Sequence, residues 1–97
     1  MSEEWRLDPD GPTYVYVQVA DYITRRVVAG ELRQGARLPA ERDLAEDLGV
    51  GYLTVRRAMR LLRERGVVES IVGRGTYVVG APKTSDESTE DQIEDDQ

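Results

Sequence analysis

The chain has 97 residues, with 13 basic and 19 acidic side chains, a net charge of −6, and neither cysteine nor histidine. That length suits one small domain, whose thin core makes a partner subunit or ligand matter to its stability. Without thiols or imidazoles there is no disulfide, no zinc chemistry, no Ser-His-Asp triad and no histidine base; with no apolar run near about 18 residues and no signal-peptide pattern, a soluble cytoplasmic protein is expected.

The charge is unevenly spread. Residues 1–80 hold 12 arginines and 12 acids, whereas residues 81–97 set Lys83 against Asp86, Glu87, Glu90, Asp91, Glu94, Asp95 and Asp96. The tail therefore carries the whole net charge. Residues 25–80 contain 11 arginines against 7 acids, so the part expected to fold is mildly basic and the low isoelectric point belongs to an appendage.

In chain order, residues 1–13 read as an N-terminal arm. Asp8-Pro9-Asp10-Gly11-Pro12 is turn chemistry, and Trp5 and Leu7 are the apolar anchors, free to pack on the domain or not. Residues 14–29 predict a first helix: Val15, Val19, Ile23 and Val27 recur every four residues, with Tyr16, Ala20 and Tyr22 widening the stripe. Arg25 and Arg26 suit its negative end, and Gly30 its stop. Residues 32–38 form a connector with a turn at Gly35, closed by Pro39. Residues 40–48 predict a second helix with Leu44, Ala45 and Leu48 inward. Ala40 stands where a capping Ser or Asp is usual, an omission costing roughly 0.5–2 kcal/mol, which Glu41 and Asp43 partly offset through the helix dipole. Residues 52–65 predict a third helix, capped by Gly51 and stopped by Gly66, with Val55, Ala58, Met59 and Leu62 on its inner stripe. Val67–Ile71 and Thr76–Val79 are β-rich runs joined by Val72-Gly73-Arg74-Gly75, a hairpin. Residues 14–80 thus make one mainly α domain with a small β-hairpin wing. From Ala81 to Gln97 the chain is polar and acidic, and is expected to be disordered.

Three positions govern the crossing of the second and third helices. Ala45 is small, Gly49 permits a sharp backbone turn, and Val55 fills the space between, a spacing that fits a helix-turn-helix. The outer face of the third helix carries Leu53, Arg57, Arg60 and Glu64, flanked by Arg56 and Thr54. Such a face is often no more than solvated surface, but here its arginines follow directly on the turn, where groove-reading residues belong. An outward Leu53 suits a thymine methyl group or a protein neighbour. At the hairpin tip Gly73 and Gly75 allow close backbone approach, and Arg74 can enter a minor groove or hold phosphate; the plainer reading is an ordinary turn with an exposed arginine.

Taken together, Tyr16-Val17-Gln18-Val19-Ala20-Asp21, Gly30-Glu31-Leu32, Gly35-Ala36-Arg37-Leu38-Pro39-Ala40-Glu41-Arg42-Asp43-Leu44-Ala45, Leu48-Gly49-Val50, Thr54-Val55-Arg56-Arg57-Ala58 and Gly73-Arg74-Gly75-Thr76-Tyr77-Val78 resemble the winged-helix DNA-binding domain of the GntR family of bacterial transcription regulators. The resemblance runs from about Tyr14 to Val79. It implies a three-helix winged helix-turn-helix that binds a palindromic operator as a dimer. It also implies DNA contacts by Arg42, by Gly51, Tyr52, Leu53 and Thr54 at the start of the third helix, by Arg56, and by the wing glycine Gly73. Where the family often has Ser-Arg, this chain has Gly51-Tyr52; Tyr52 could offer a hydroxyl to phosphate or pack on a base edge. Where the family usually attaches an effector-binding and dimerising domain, this chain has its acidic tail.

The function expected is therefore a sequence-specific regulator, in the first place a repressor, contacting double-stranded DNA through Arg42, Gly51, Tyr52, Leu53, Thr54, Arg56, Arg57, Arg60, Gly73 and Arg74. It is expected to be monomeric or weakly dimeric when free and a homodimer on DNA. No membrane association, cofactor, metal or catalytic constellation is expected. The alternatives are a protein-interaction module anchored by Leu53 and Tyr52, or a fragment of a longer effector-responsive regulator. The tail reads first as a solubilising segment. A sharper reading has it fold back over Arg56, Arg57, Arg60 and Arg74 and compete with DNA.

Overall fold

The computed structural model describes residues 4–82; residues 1–3 and 83–97, and with them nearly all of the acidic tail, lie outside the described residues. Three helices, α1 (Val15–Val28), α2 (Glu41–Leu48) and α3 (Tyr52–Glu64), precede two antiparallel strands, β1 (Val68–Ile71) and β2 (Gly75–Val78). The helices fall within one residue of their predicted bounds at each end. Ala40 caps α2 without a side-chain hydrogen bond, and Glu41 and Asp43 occupy its first turn.

The periodic stripes meet in one core. Val19, Ala20, Ile23 and Val27 of α1 pack with Leu44, Ala45 and Leu48 of α2, with Val55, Ala58, Met59 and Leu62 of α3, and with Val67, Val68 and Val78 at the wing root. Among the described residues this core buries no polar or charged side chain. It is therefore held by apolar burial rather than by internal polar networks. Arg65, beyond the end of α3, ties the outside of the packing to α1. Its Nη2 lies 2.9 Å from Asp21 Oδ1, and its Nη1 donates to Thr24 Oγ1 at 3.2 Å.

The hairpin differs from its expected bounds. Ile71 pairs with Gly75 and Val68 with Val78, so Gly75 joins the second strand and Val79 drops out of it. Turn closure decides this: Arg74 N–H bonds to Ile71 C=O at 2.9 Å, leaving three residues in the loop. The connector also does more than link helices. Val78 N–H bonds to Ala36 C=O and Leu38 N–H to Thr76 C=O, each at 2.8 Å, around a bridge between Arg37 and Tyr77. Residues 36–38 therefore cover the free edge of β2, which would otherwise present unpaired backbone groups.

The arm docks. Trp5 Nε1–H donates to Leu48 C=O at 2.8 Å, and its ring lies 5.3 Å from that of Tyr22. The indole thus satisfies a carbonyl at the end of α2 that has no partner within the helix. Gln18 holds the following loop. Its Oε1 accepts from Asp8 N–H at 2.9 Å, and its Nε2 donates to the carbonyls of Asp8 at 2.9 Å and Thr13 at 2.7 Å. Trp5→Phe keeps most of the ring and loses the hydrogen bond. It is expected to cost about 1 kcal/mol in urea unfolding; a stability equal to wild type would show that the indole bond contributes nothing.

Candidate nucleic-acid interface

The site begins at the turn. Gly49 adopts φ 70° and ψ 33°, and Val50 N–H reaches back to Ala45 C=O at 3.0 Å. A side chain disfavours that left-handed backbone, so glycine ends α2 and redirects the chain within two residues. Ala45 and Val55 are buried at the crossing. Gly51 caps α3 in an extended conformation, and an added Cβ there would meet only Thr54 Oγ1 at 3.8 Å. Nothing steric therefore demands glycine at this position.

Beyond the turn α3 presents an open trough lined by Glu41, Tyr52, Leu53, Arg56, Arg57, Arg60, Arg63 and Ser70. Leu53 is 68% exposed. Four guanidiniums thus share the trough with one carboxylate. Among the described residues Arg57 and Arg60 have no ion-pair partner, and Glu41 Oε1 stands 3.9 Å from Arg56 Nε. An exposed cationic strip with so little internal neutralisation attracts a polyanion.

Arg42, exposed on α2, joins this strip through Tyr52. Its Cζ lies 4.2 Å from the centre of the Tyr52 ring, and that of Arg56 lies 5.9 Å from the same centre. Thr54 is half-buried on the opposite flank of α3, where it lines a depression with Tyr14, Val15, Tyr16 and Arg57. Gly73 and Arg74 stand exposed at the wing tip, apart from the trough, with Arg74 C=O accepting from Tyr77 OH at 3.2 Å. The turn and α3 therefore gather Arg42, Tyr52, Leu53, Arg56, Arg57 and Arg60 in one place, with Gly51 and Thr54 at its margin. The wing residues form a second, separate projection.

Two features escape the sequence reading. Arg63 lines the trough and donates from Nη1 to Ser70 Oγ at 3.1 Å, and that hydroxyl lies 3.2 Å from Thr76 Oγ1. Its signal was its place seven residues after Arg56, on the same flank of the helix. Tyr16, expected on the core stripe, is only half-buried. Its ring stacks at 6.1 Å on that of Tyr14, which is 76% exposed. Tyr16 still packs against the core, as its place on the stripe requires, and with Tyr14 it lines a depression beside Arg57 at the start of α1.

Gly75 is needed for its backbone. It has φ 119°, and a Cβ there would lie 2.8 Å from Arg37 Nε. The arginine side chain can move aside; the backbone dihedral cannot be relieved so cheaply. Gly75→Ala is expected to cost about 1–3 kcal/mol, read as a lowered thermal midpoint, and an unchanged midpoint would contradict this account of the wing.

Known proteins share this fold. The family model for bacterial regulatory proteins of the gntR family matches residues 15–78. The Mannosyl-D-glycerate transport/metabolism system repressor MngR of Escherichia coli is 47% identical over 64 residues, covering 66% of this chain and 27% of MngR. YtrA from Sulfolobus acidocaldarius, a GntR-family transcription factor, superposes with a TM-score of 0.71 at 33% identity, covering 93% of each chain. AraR(DBD), solved in complex with operator ORR3, superposes with a TM-score of 0.63 at 29% identity, covering 79% of this chain and 96% of that one. The chain spans less than a third of the length of the curated relatives it matches. With its three helices, its two-stranded wing and a family match over 15–78, this chain belongs to the gntR family of bacterial regulatory proteins.

Proposed function

We propose that the chain is a sequence-specific, double-stranded DNA-binding transcriptional regulator that acts by repression, and that it binds a palindromic operator as a homodimer assembled on the DNA. The observation that carries this reading is the trough on α3, where Arg56, Arg57, Arg60 and Arg63 converge with Glu41 as the one carboxylate. The exposed wing tip with Gly73 and Arg74, which does not line the trough, offers a second point of approach. The likeness to AraR(DBD), which was solved on an operator, and to MngR, a named repressor, supports the reading. Arginines at the base of the trough would reach base edges and those on its rim would hold phosphates. Binding, with no chemistry and no cofactor, is the activity proposed, and the cytoplasm is its proposed place. Among the described residues no helix is long and apolar enough to cross a membrane.

Backbone amide shifts during titration with a duplex test the surface. Perturbations are expected at Arg42, at 51–57, at Arg60 and Arg63, and at Gly73 and Arg74, with saturation at two protomers per duplex. Shifts confined to the Gly30 end of α1 would contradict the assignment. Exposed Leu53 keeps a protein partner as the competing reading, which specific capture of a protein at α3 without any DNA response would favour.

A further inference from the structure

We infer that Tyr52 is a positioning and specificity-determining residue, its ring a platform that fixes the planes of Arg42 and Arg56 for contact with base edges. The inference rests on the DNA-binding reading above and deepens it. Arg42 comes from α2 and Arg56 from α3, and one ring serves both, with guanidinium carbons 4.2 and 5.9 Å from its centre. The tyrosine itself is half-buried at the first residue of α3, so the platform is anchored by the turn. Glu41 lies on the Nε side of Arg56, its Oε1 3.9 Å from Nε. That leaves its two terminal nitrogens for a ligand.

The physical consequence follows from the shape of the groups. A guanidinium resting on an aromatic face is attracted through that face and keeps its N–H donors pointing outward in its own plane. A bidentate contact to a base edge needs such a fixed plane, whereas a grip on phosphate tolerates many orientations. An untethered arginine must be ordered when it binds, and that ordering opposes binding. Tyr52 therefore favours sequence-specific over non-specific binding. Its role is to orient two arginines, with its own hydroxyl dispensable.

Tyr52→Phe, which keeps the ring, and Tyr52→Leu, which keeps apolar bulk without it, test this. The operator is one obtained by selection from random duplexes, and thermal unfolding checks that each variant folds. Tyr52→Phe is expected to bind within about twofold of wild type. Tyr52→Leu is expected to lose about tenfold on the operator, within the range of a cation–π contact, and to be unchanged on random DNA. In the Arg42→Ala background, Tyr52→Leu should lose less than it does alone, because one of the two arginines it orients is gone. Equal losses for Phe and Leu would assign the effect to the hydroxyl and overturn the platform, as would additive losses with Arg42→Ala. A further readout needs no DNA. The Arg42 side-chain methylene protons should be shifted upfield by the ring in wild type and Tyr52→Phe, but not in Tyr52→Leu. If wild type selects no sequence, the DNA-binding reading falls, and this shift still decides the platform: its presence supports the stacking and its absence overturns it.

Discussion

Raising the salt from about 50 to about 200 mM is expected to weaken operator binding by on the order of 10³-fold or more, the loss typical of a protein that makes six to ten phosphate contacts. The expectation comes from the exposed arginines. Arg42, Arg56, Arg57, Arg60, Arg63 and Arg74 are all exposed, on α2, α3 and the wing. Two protomers on one operator double that number, so enough contacts remain even when some of these arginines read bases. Each phosphate that is neutralised releases condensed counterions, so the logarithm of affinity falls linearly with the logarithm of salt concentration. Removing one arginine of the trough that holds phosphate, proposed for Arg60 and tested by Arg60→Gln, should lower that slope by about one per protomer engaged and weaken binding almost equally on all sequences. The slope is read from fluorescence anisotropy at four salt concentrations. A nearly flat response would mean that the arginine strip is only solvated surface. The whole-chain charge of −6 argues against any of this, and it misleads because residues 1–80 balance 12 acids with 12 arginines and the whole acidic excess lies in residues 81–97.

The largest stability effect is expected at Leu62. Its side chain has 0% exposure, and it belongs to the core where α3 meets α1 and the wing root. Leu62→Ala should cost about 2–5 kcal/mol, through lost transfer energy and the cavity left behind. Native proteins are stable by only on the order of 5–15 kcal/mol, so this loss is a large fraction of the total. The urea midpoint should fall with its slope unchanged. Leu53→Ala is the matching control on the same helix. Leu53 is 68% exposed, and its loss should change stability by no more than about 0.5 kcal/mol. A similar midpoint shift for both variants would mean that the inner and outer faces of α3 have been misassigned.

Most of this division was legible in the sequence, for identifiable reasons. The helices carry strong four-residue periodicity and glycine stops, so their bounds follow to within a residue. The crossing of α2 and α3 follows because Ala45, Gly49 and Val55 each answer a separate steric need. The wing was legible as a hairpin but not in register: β-propensity favours Val79 over Gly75 as a strand residue, and it does not register the turn that closes on Ile71. The rung formed by 36–38 is too short to show a period. Trp5 on Leu48, and Gln18 on Asp8 and Thr13, are single contacts, and no local pattern announces them. Within the site, the outer face of α3 was legible from the helical wheel. The gathering of Arg42 and Arg56 on Tyr52 was not, because it joins residues of two helices through a turn whose geometry must be known first.

The central claim is that this fold reads a DNA sequence. Selection of bound duplexes from a random double-stranded library by the full 97-residue chain tests it most directly. The account predicts enrichment of a short palindrome whose half-sites lie roughly one helical turn, about 10 base pairs, apart or closer where the wings meet on the dyad. A library that emerges without any enriched sequence would contradict it.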